Sequence, residues 1–197
     1  HTQKGPFDGT DWRQRKPGQP FFSQVNFYET HRSFKRDPEN PVDPDKVHIP
    51  PYYPDHPITR KDWAIYYECT QILDKKVAKV LQRLEKDGLS KNTIVFFFGD
   101  NGRPFPRGKQ FLYEGGINIP LIVKWPGHIE AGTVSDDLVS AVDFAPTSLK
   151  LAGIEVPAYM HGNIFIGNNI KKREHIFAAR DRCDEAFDRI RCVRGKR

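Results

Sequence analysis

The sequence predicts an α/β fold with a largely parallel central sheet and flanking helices, and three observations carry that prediction. Residues 62–87 place Ile65, Cys69, Ile72, Leu73, Val77, Val80, Leu81 and Leu84 at helical spacing, with charged residues between them. Residues 93–99 hold an unbroken apolar run, Ile94 to Phe98, the pattern of a strand covered on both faces. Helical and strand-like segments then alternate along the chain, which is the signature of an α/β class.

Composition sets the outer bounds. At 197 residues the chain has room for one domain or a little more. Hydrophobic residues make up 38% and aromatics 12%, enough to build a core, so a wholly disordered chain is excluded. No apolar run approaches the roughly 18 residues that a membrane span needs. Three cysteines without C-x-x-C spacing exclude a disulfide scaffold and a thiolate zinc site. The formal charge is +6, but acids interleave with the bases, which describes a solvated surface and not a nucleic-acid face. The chain starts His-Thr-Gln-Lys-Gly, with neither an initiator Met nor an apolar leader, so the expectation is that it begins inside a longer protein.

In chain order, residues 1–19 read as loop and 21–28 as a short aromatic strand. From Lys35 to Arg60 seven prolines (38, 41, 44, 50, 51, 54 and 57) remove donors and disfavour helix, giving a long irregular excursion. The helix over 62–87 has Thr59 or Asp62 to cap it and Gly88 where a left-handed C-terminal residue belongs. Strands follow at 93–99 and 120–125, all expected in one sheet with 21–28. Residues 143–153 read as a helix opened by Asp143 and closed by Gly153. "HIFAARD" and "DRIRCVRGKR" read as two further strands, the last without a closing element. The whole is expected to be one partial domain: loop to 19, core over 20–170, and the start of a C-terminal part over 171–197.

Several residues could carry chemistry. Asp100 and Asn101 follow the strongest strand, and carboxylate and amide oxygens are hard ligands for Ca²⁺ or Mg²⁺; the alternative is an ordinary Asp-Asn-Gly turn. Lys109 lies nine residues on, in a loop shaped by Pro104 and Pro106, where it could reach an anion beside such a metal. His31 sits after the first strand and could donate a proton or hold an anion. Arg180, Asp181 and Arg182 are expected to follow the strand "HIFAA" and to line a substrate pocket; the alternative is a solvated charge run. Cys69, Cys183 and Cys192 fall on a helix face or in strands, away from any His, and read as packing residues.

Taken together, "NTIVFFFGDNG", "GK", "YEGGINIPLIVKWPG" and "VSAVDFAPTSLKLAGI", preceded by "YYECTQILDKKVAKVLQRLEKDGLSK" and "QPFFSQVNFYETHRSF", resemble the second half of the core domain of type I sulfatases, in the alkaline phosphatase superfamily. The resemblance spans about residues 18 to 194. The proline-bearing loop and the tail are similar to the branch of heparan N-sulfatase-like and bacterial glycan sulfatases. It implies a partial alkaline-phosphatase-like fold and hydrolysis of a sulfate ester or N-sulfate on a sulfated small molecule or glycan. It implies Asp100 and Asn101 as two of the ligands of a Ca²⁺ ion (Mg²⁺ in its place is the alternative), Lys109 as the holder of a sulfate oxygen, and His31 at the leaving-group side. It also suggests a periplasmic, secreted or lysosomal location.

The departures are equally informative. The family's nucleophile is a formylglycine made within a Cys/Ser-x-Pro/Ala-x-Arg motif, and no such motif is present. The paired Asp ligands that precede it are missing too, and Asn101 with a proline-rich loop replaces the "DHG" of many relatives. The expectation is therefore a fragment, inactive by itself, whose nucleophile lies elsewhere. A phosphodiesterase or phosphonate hydrolase of the same superfamily and an inactive, non-enzymatic chain remain as alternatives.

Overall fold

A computed structural model describes residues 7–168 and 170–196. The chain divides into two compact units, His1–Val77 and Ala78–Arg197. Helix α1 (Pro57–Lys86) runs from the first into the second.

In the first unit the proline-dense excursion is not loose. It is strapped to α1 by carboxylates. Glu68, in the middle of the helix and fully buried, accepts from Arg36 Nε at 2.5 Å and Nη2 at 2.9 Å, and from the backbone N–H groups of Asp37 at 3.0 Å and Val42 at 3.2 Å. Buried Asp37 accepts from Lys75 at 2.7 Å, and buried Glu29 from Lys76 at 2.5 Å and Lys35 at 3.1 Å. A segment this rich in proline cannot satisfy its remaining N–H groups by a helix or a ladder, so side chains on α1 do it instead. An aromatic cluster completes the packing: buried Trp63 meets Tyr53, Tyr66 and Tyr67 edge-on at centroid distances of 5.5, 5.8 and 5.9 Å.

Residues 21–28 are not a strand, contrary to expectation. The segment has no ladder among the described residues, and Phe22, Val25 and Tyr28 are exposed. Its ring contacts are local, Phe21 stacked on Trp12 at 6.1 Å and Phe22 on Phe7 at 6.4 Å. Aromatic content marked a strand-like run, but a strand requires a neighbour to take its backbone groups.

The second unit begins with the end of α1. Gly88 has φ +71°, the Gly88 N–H donates to Glu85, and the Leu89 N–H donates to Leu84, the two bonds of a left-handed helix stop. Strand β1 (Val95–Phe98) pairs with β2 (Leu121–Lys124), Val95 opposite Lys124 and Phe98 opposite Leu121. The class is mixed α/β as expected, but this pair is antiparallel. The reason lies in the connection. A parallel partner needs a crossover that carries the chain back to the start of β1. Here residues 99–120 stay at its carboxyl end, and the Gly99 N–H donates to Pro120 at 3.2 Å, extending the pairing by one step. Nor is β1 covered on both faces: Val95 to Phe97 are half-buried and Phe98 is exposed.

Phe96 and Phe98 pack on Phe144 of helix α3 (Phe144–Leu151), with Phe165 closing the cluster 5.7 Å from Phe144 and 6.0 Å from Phe96. Gly153, at φ +73°, ends α3 as predicted. Asp143 does more than open it. Its carboxylate is buried and accepts from the N–H groups of Ser140 and Asn163 and from both Nε and Nη2 of Arg173 at 2.9 and 2.5 Å, tying three segments together. The two C-terminal strands are present as β3 (Ile176–Cys183) and β4 (Ala186–Arg194), again antiparallel.

Candidate active site

The candidate site is the long connection between β1 and β2. Asp100 and Asn101 stand immediately beyond β1, Asp100 exposed and Asn101 half-buried. The Gly102 N–H then donates to the Gly116 carbonyl at 3.1 Å, closing residues 102–116 into a ring. Inside it the chain turns tightly. Phe105 is buried, its N–H and that of Lys109 both donate to the Arg103 carbonyl at 2.8 Å, and the Phe111 N–H donates to Gly108 at 2.9 Å. These bonds bring the backbone of Lys109 back to that of Arg103, two residues from Asn101. A single-turn helix α2 (Glu114–Ile117) leads on to β2.

Glycine is required at the crossings. A Cβ on Gly102 would strike the Gly115 carbonyl, one on Gly108 the Arg103 carbonyl, and one on Gly116 the carbonyls of Phe111 and Gly108. Arg107 and Gln110, which bracket Lys109, hold left-handed φ angles of +62° and +72° that non-glycine residues rarely adopt.

The hairpin β3–β4 grips the far side of this loop. Arg180 Nη1 donates to the Gln110 carbonyl at 2.5 Å, Nη2 pairs with Asp188, and the guanidinium lies 4.9 Å from the centre of the Phe111 ring. Gln110 Nε2 donates to Asp184 at 2.7 Å, and Arg194 Nε to Glu114 at 3.0 Å.

The structure thus brings Asp100, Asn101 and Lys109 into one loop. His31 belongs to the other unit; its Nδ1 donates to the Arg32 carbonyl at 2.5 Å, which makes Nε2 the basic nitrogen of the neutral ring. Contrary to the expectation that they follow a strand, Arg180, Asp181 and Arg182 lie within β3. The Arg180 side chain is only 9% exposed and turned to the loop. Asp181 pairs with Arg191 at 2.6 Å, and Arg182 covers Phe187 at 5.1 Å.

Asp100 and Asn101 fit part of a hard-cation site by the chemistry of their oxygens. Among the described residues no group of three or more His, Cys, Asp or Glu side chains could hold a metal ion. No described helix is long and apolar enough to cross a membrane.

Asp100, Asn101 and Lys109 thus lie on one strand-end loop of an α/β unit. The sulfatase family model matches residues 8–154, and the chain belongs to that family. It is 38% identical to an ulvan-active sulfatase of Formosa agariphila, over 94% of this chain and 38% of that protein. It is 33% identical to the human N-sulphoglucosamine sulphohydrolase, over 74% of this chain and 34% of that one. The chain therefore spans little more than a third of these relatives. Among solved structures, BT4656 in complex with its substrate D-glucosamine-2-N,6-O-disulfate aligns at a TM-score of 0.56 and 25% identity, over 73% of this chain and 32% of that one. Ps i-CgsB in complex with a neocarrahexaose aligns at 0.52 and 28%, over 68% and 32%. The expected alkaline-phosphatase-like sulfatase fold is thereby established.

Sequence reasoning found the charged residues of the loop but not what holds them. The glycines at 102, 108 and 116 were visible as letters, and their crowding was not. Nothing in the sequence pairs Arg180 with Gln110, seventy positions apart.

Proposed function

We propose that this chain supplies the Asp100–Asn101 and Lys109 side of a sulfatase active site, acting on a sulfate ester or N-sulfate of a sulfated glycan. The observation that carries the proposal is the fold-back of Lys109 onto the loop that begins at Asp100, in a chain of the sulfatase family. The glycan substrate is supported by relatives named for ulvan and for N-sulphoglucosamine.

Hydrolysis breaks the bond between sulfur and the bridging atom, and negative charge grows on the leaving group and the sulfate oxygens. The Lys109 ammonium holds one sulfate oxygen and strengthens its hold as that charge grows. The resemblance to the family assigns His31 the leaving-group side, where a histidine gives the departing oxygen or nitrogen the proton it needs. Asp100 and Asn101 would hold a divalent cation, Ca²⁺ in preference to Mg²⁺, which would polarise a sulfate oxygen when bound. The nucleophile, a formylglycine in this family, is assigned to residues outside this chain, because no Cys/Ser-x-Pro/Ala-x-Arg motif occurs in it.

The test compares an aryl sulfate, an N-sulfated glucosamine and an aryl phosphate diester as substrates of the active enzyme that carries these residues. Turnover of either sulfated compound well above the phosphate diester supports the proposal. Preference for the phosphate diester would replace it with a phosphodiesterase reading.

A further inference from the structure

The hairpin β3–β4 lies beyond residues 8–154, the span that the sulfatase family model matches, yet three of its residues hold the loop that presents Lys109. Arg180 reaches from the middle of β3 to the Gln110 carbonyl, Asp184 from the hairpin turn to the Gln110 amide, and Arg194 from the end of β4 to Glu114. Gln110 is the residue after Lys109 and stands at φ +72°. On the other side, the Lys109 N–H is held by the Arg103 carbonyl. The chain around Lys109 is therefore fixed on both sides, at the peptide before the lysine and at the peptide after Gln110, and the second anchor is a guanidinium.

Arg180 is built for that task and not for catching an anion from solvent. One terminal nitrogen is given to the Gln110 carbonyl, the other to Asp188, and its flat face covers Phe111. The rigid fork of a guanidinium can meet two acceptors and a ring at once, and a flexible ammonium cannot. The side chain is nine-tenths buried, and its charge is answered by Asp188.

Resting on the reading of Lys109 above, we infer that Arg180 is a positioning residue: it acts on the reaction through Lys109, by pinning the Gln110 carbonyl and so holding the left-handed turn that aims the lysine. The hairpin is then a brace for the anion-holding loop.

The test is a double-mutant comparison in the active enzyme, with steady-state kinetics on a small aryl sulfate and on an anionic sulfated glycan. Arg180→Ala should lower kcat by roughly 10–100-fold, the scale on which a displaced catalytic group costs rate, and by the same factor for both substrates with KM little changed. In a Lys109→Ala background the same substitution should cost no more than about 2-fold, because the two residues act as one unit. Arg180→Lys, which keeps one donor, should recover part of the loss. Asp188→Asn should show the same pattern at smaller amplitude, and these two variants carry the test should Arg180→Ala not fold. Independent, additive losses in the two backgrounds would overturn the inference. So would a rise in KM confined to the glycan, which would make Arg180 a substrate contact. If Lys109→Ala is impaired and the Arg180 and Asp188 variants are not, the brace fails and the lysine assignment stands. If Lys109→Ala itself turns over like the parent enzyme, the functional reading fails and the brace goes with it.

Discussion

The Gly102 N–H donates to the carbonyl of Gly116 at 3.1 Å, and neither residue has room for a side chain. This one backbone bond joins the two ends of the loop that carries Lys109. Asp100 and Asn101 enter the loop just before it, and α2, which contains Gly116, leads out of it. The local geometry of the charged residues depends on two residues that have no functional group.

Gly116→Ala should therefore damage the site without removing any of its chemistry. The new methyl meets two carbonyl oxygens, and forcing extra volume into a packed position costs about 1–3 kcal/mol. The expected outcome is a drop of several degrees in Tm together with a loss of kcat, read by thermal melting and turnover of an aryl sulfate. Gly18→Ala makes a useful contrast: its backbone is left-handed, at φ +75°, but nothing lies within 4 Å of a Cβ there, so stability should fall slightly and kcat should not change.

Glu68 should be the most costly carboxylate to remove in the first unit. Glu68→Ala leaves the N–H groups of Asp37 and Val42 without acceptors and Arg36 without its partner. Orphaned donors cost about 1–3 kcal/mol each, so the two N–H groups give an expected loss of roughly 2–6 kcal/mol, to which Arg36 adds little because it is half exposed and can turn to water. Glu68→Gln should lose less, because an amide oxygen still accepts. Denaturant midpoints of the two variants check the order.

Stability should fall on acidification. The Lys76 ammonium, aided by Lys35, holds the Glu29 carboxyl down to about 2 against burial, which pushes the other way. For Asp143, burial alone would raise the value, but Arg173 and the amides of Ser140 and Asn163 outweigh it, and the net direction is down. Glu68 is lowered chiefly by Arg36. A carboxyl lowered in the folded state contributes stability that is complete above its ordinary value, 4.5 for Glu, and is lost as pH falls towards the folded one. Tm should be flat from pH 7 to about 5 and decline from about 4.5 to about 2, with Glu29→Gln flattening part of the decline. A Tm that holds constant down to about pH 3 would be inconsistent with these pairings.

Much of this architecture could be read in the sequence where one segment decides its own fate. The stripe from Ile65 to Leu84 with Gly88 behind it defined α1 and its end, and "DFAPTSLKLAG" defined α3 with Gly153. Pairing could not be read in this way. The run from Ile94 to Phe98 has the composition of a strand buried on two faces, but its direction relative to β2 depends on the path of residues 99–120, which periodicity does not encode. Residues 21–28 show the same gap: strand-like letters with no ladder. In the candidate site, Asp100 and Asn101 were legible because they follow the strongest apolar run, and Lys109 through the resemblance of its loop to the sulfatase family. Arg180 was legible only as a charge. Its role depends on a contact across seventy residues and on the left-handed backbone of Gln110, and local sequence specifies neither.

Asp100→Ala should separate metal from anion binding. It removes one of this chain's two hard-oxygen donors, so the active enzyme should lose both turnover and bound divalent cation, with activity partly restored by millimolar Ca²⁺. Elemental analysis of the purified variant gives the answer. A full complement of metal in Asp100→Ala would take the residue out of the ligand set.

The most direct test of the central claim is kcat/KM for an aryl sulfate in Lys109→Ala, measured on enzyme whose metal content matches the parent. The account predicts a fall of roughly 10²–10³, the loss of one preorganised charge donor, with metal retained. A kcat/KM within about threefold of the parent, well short of that loss, would contradict it.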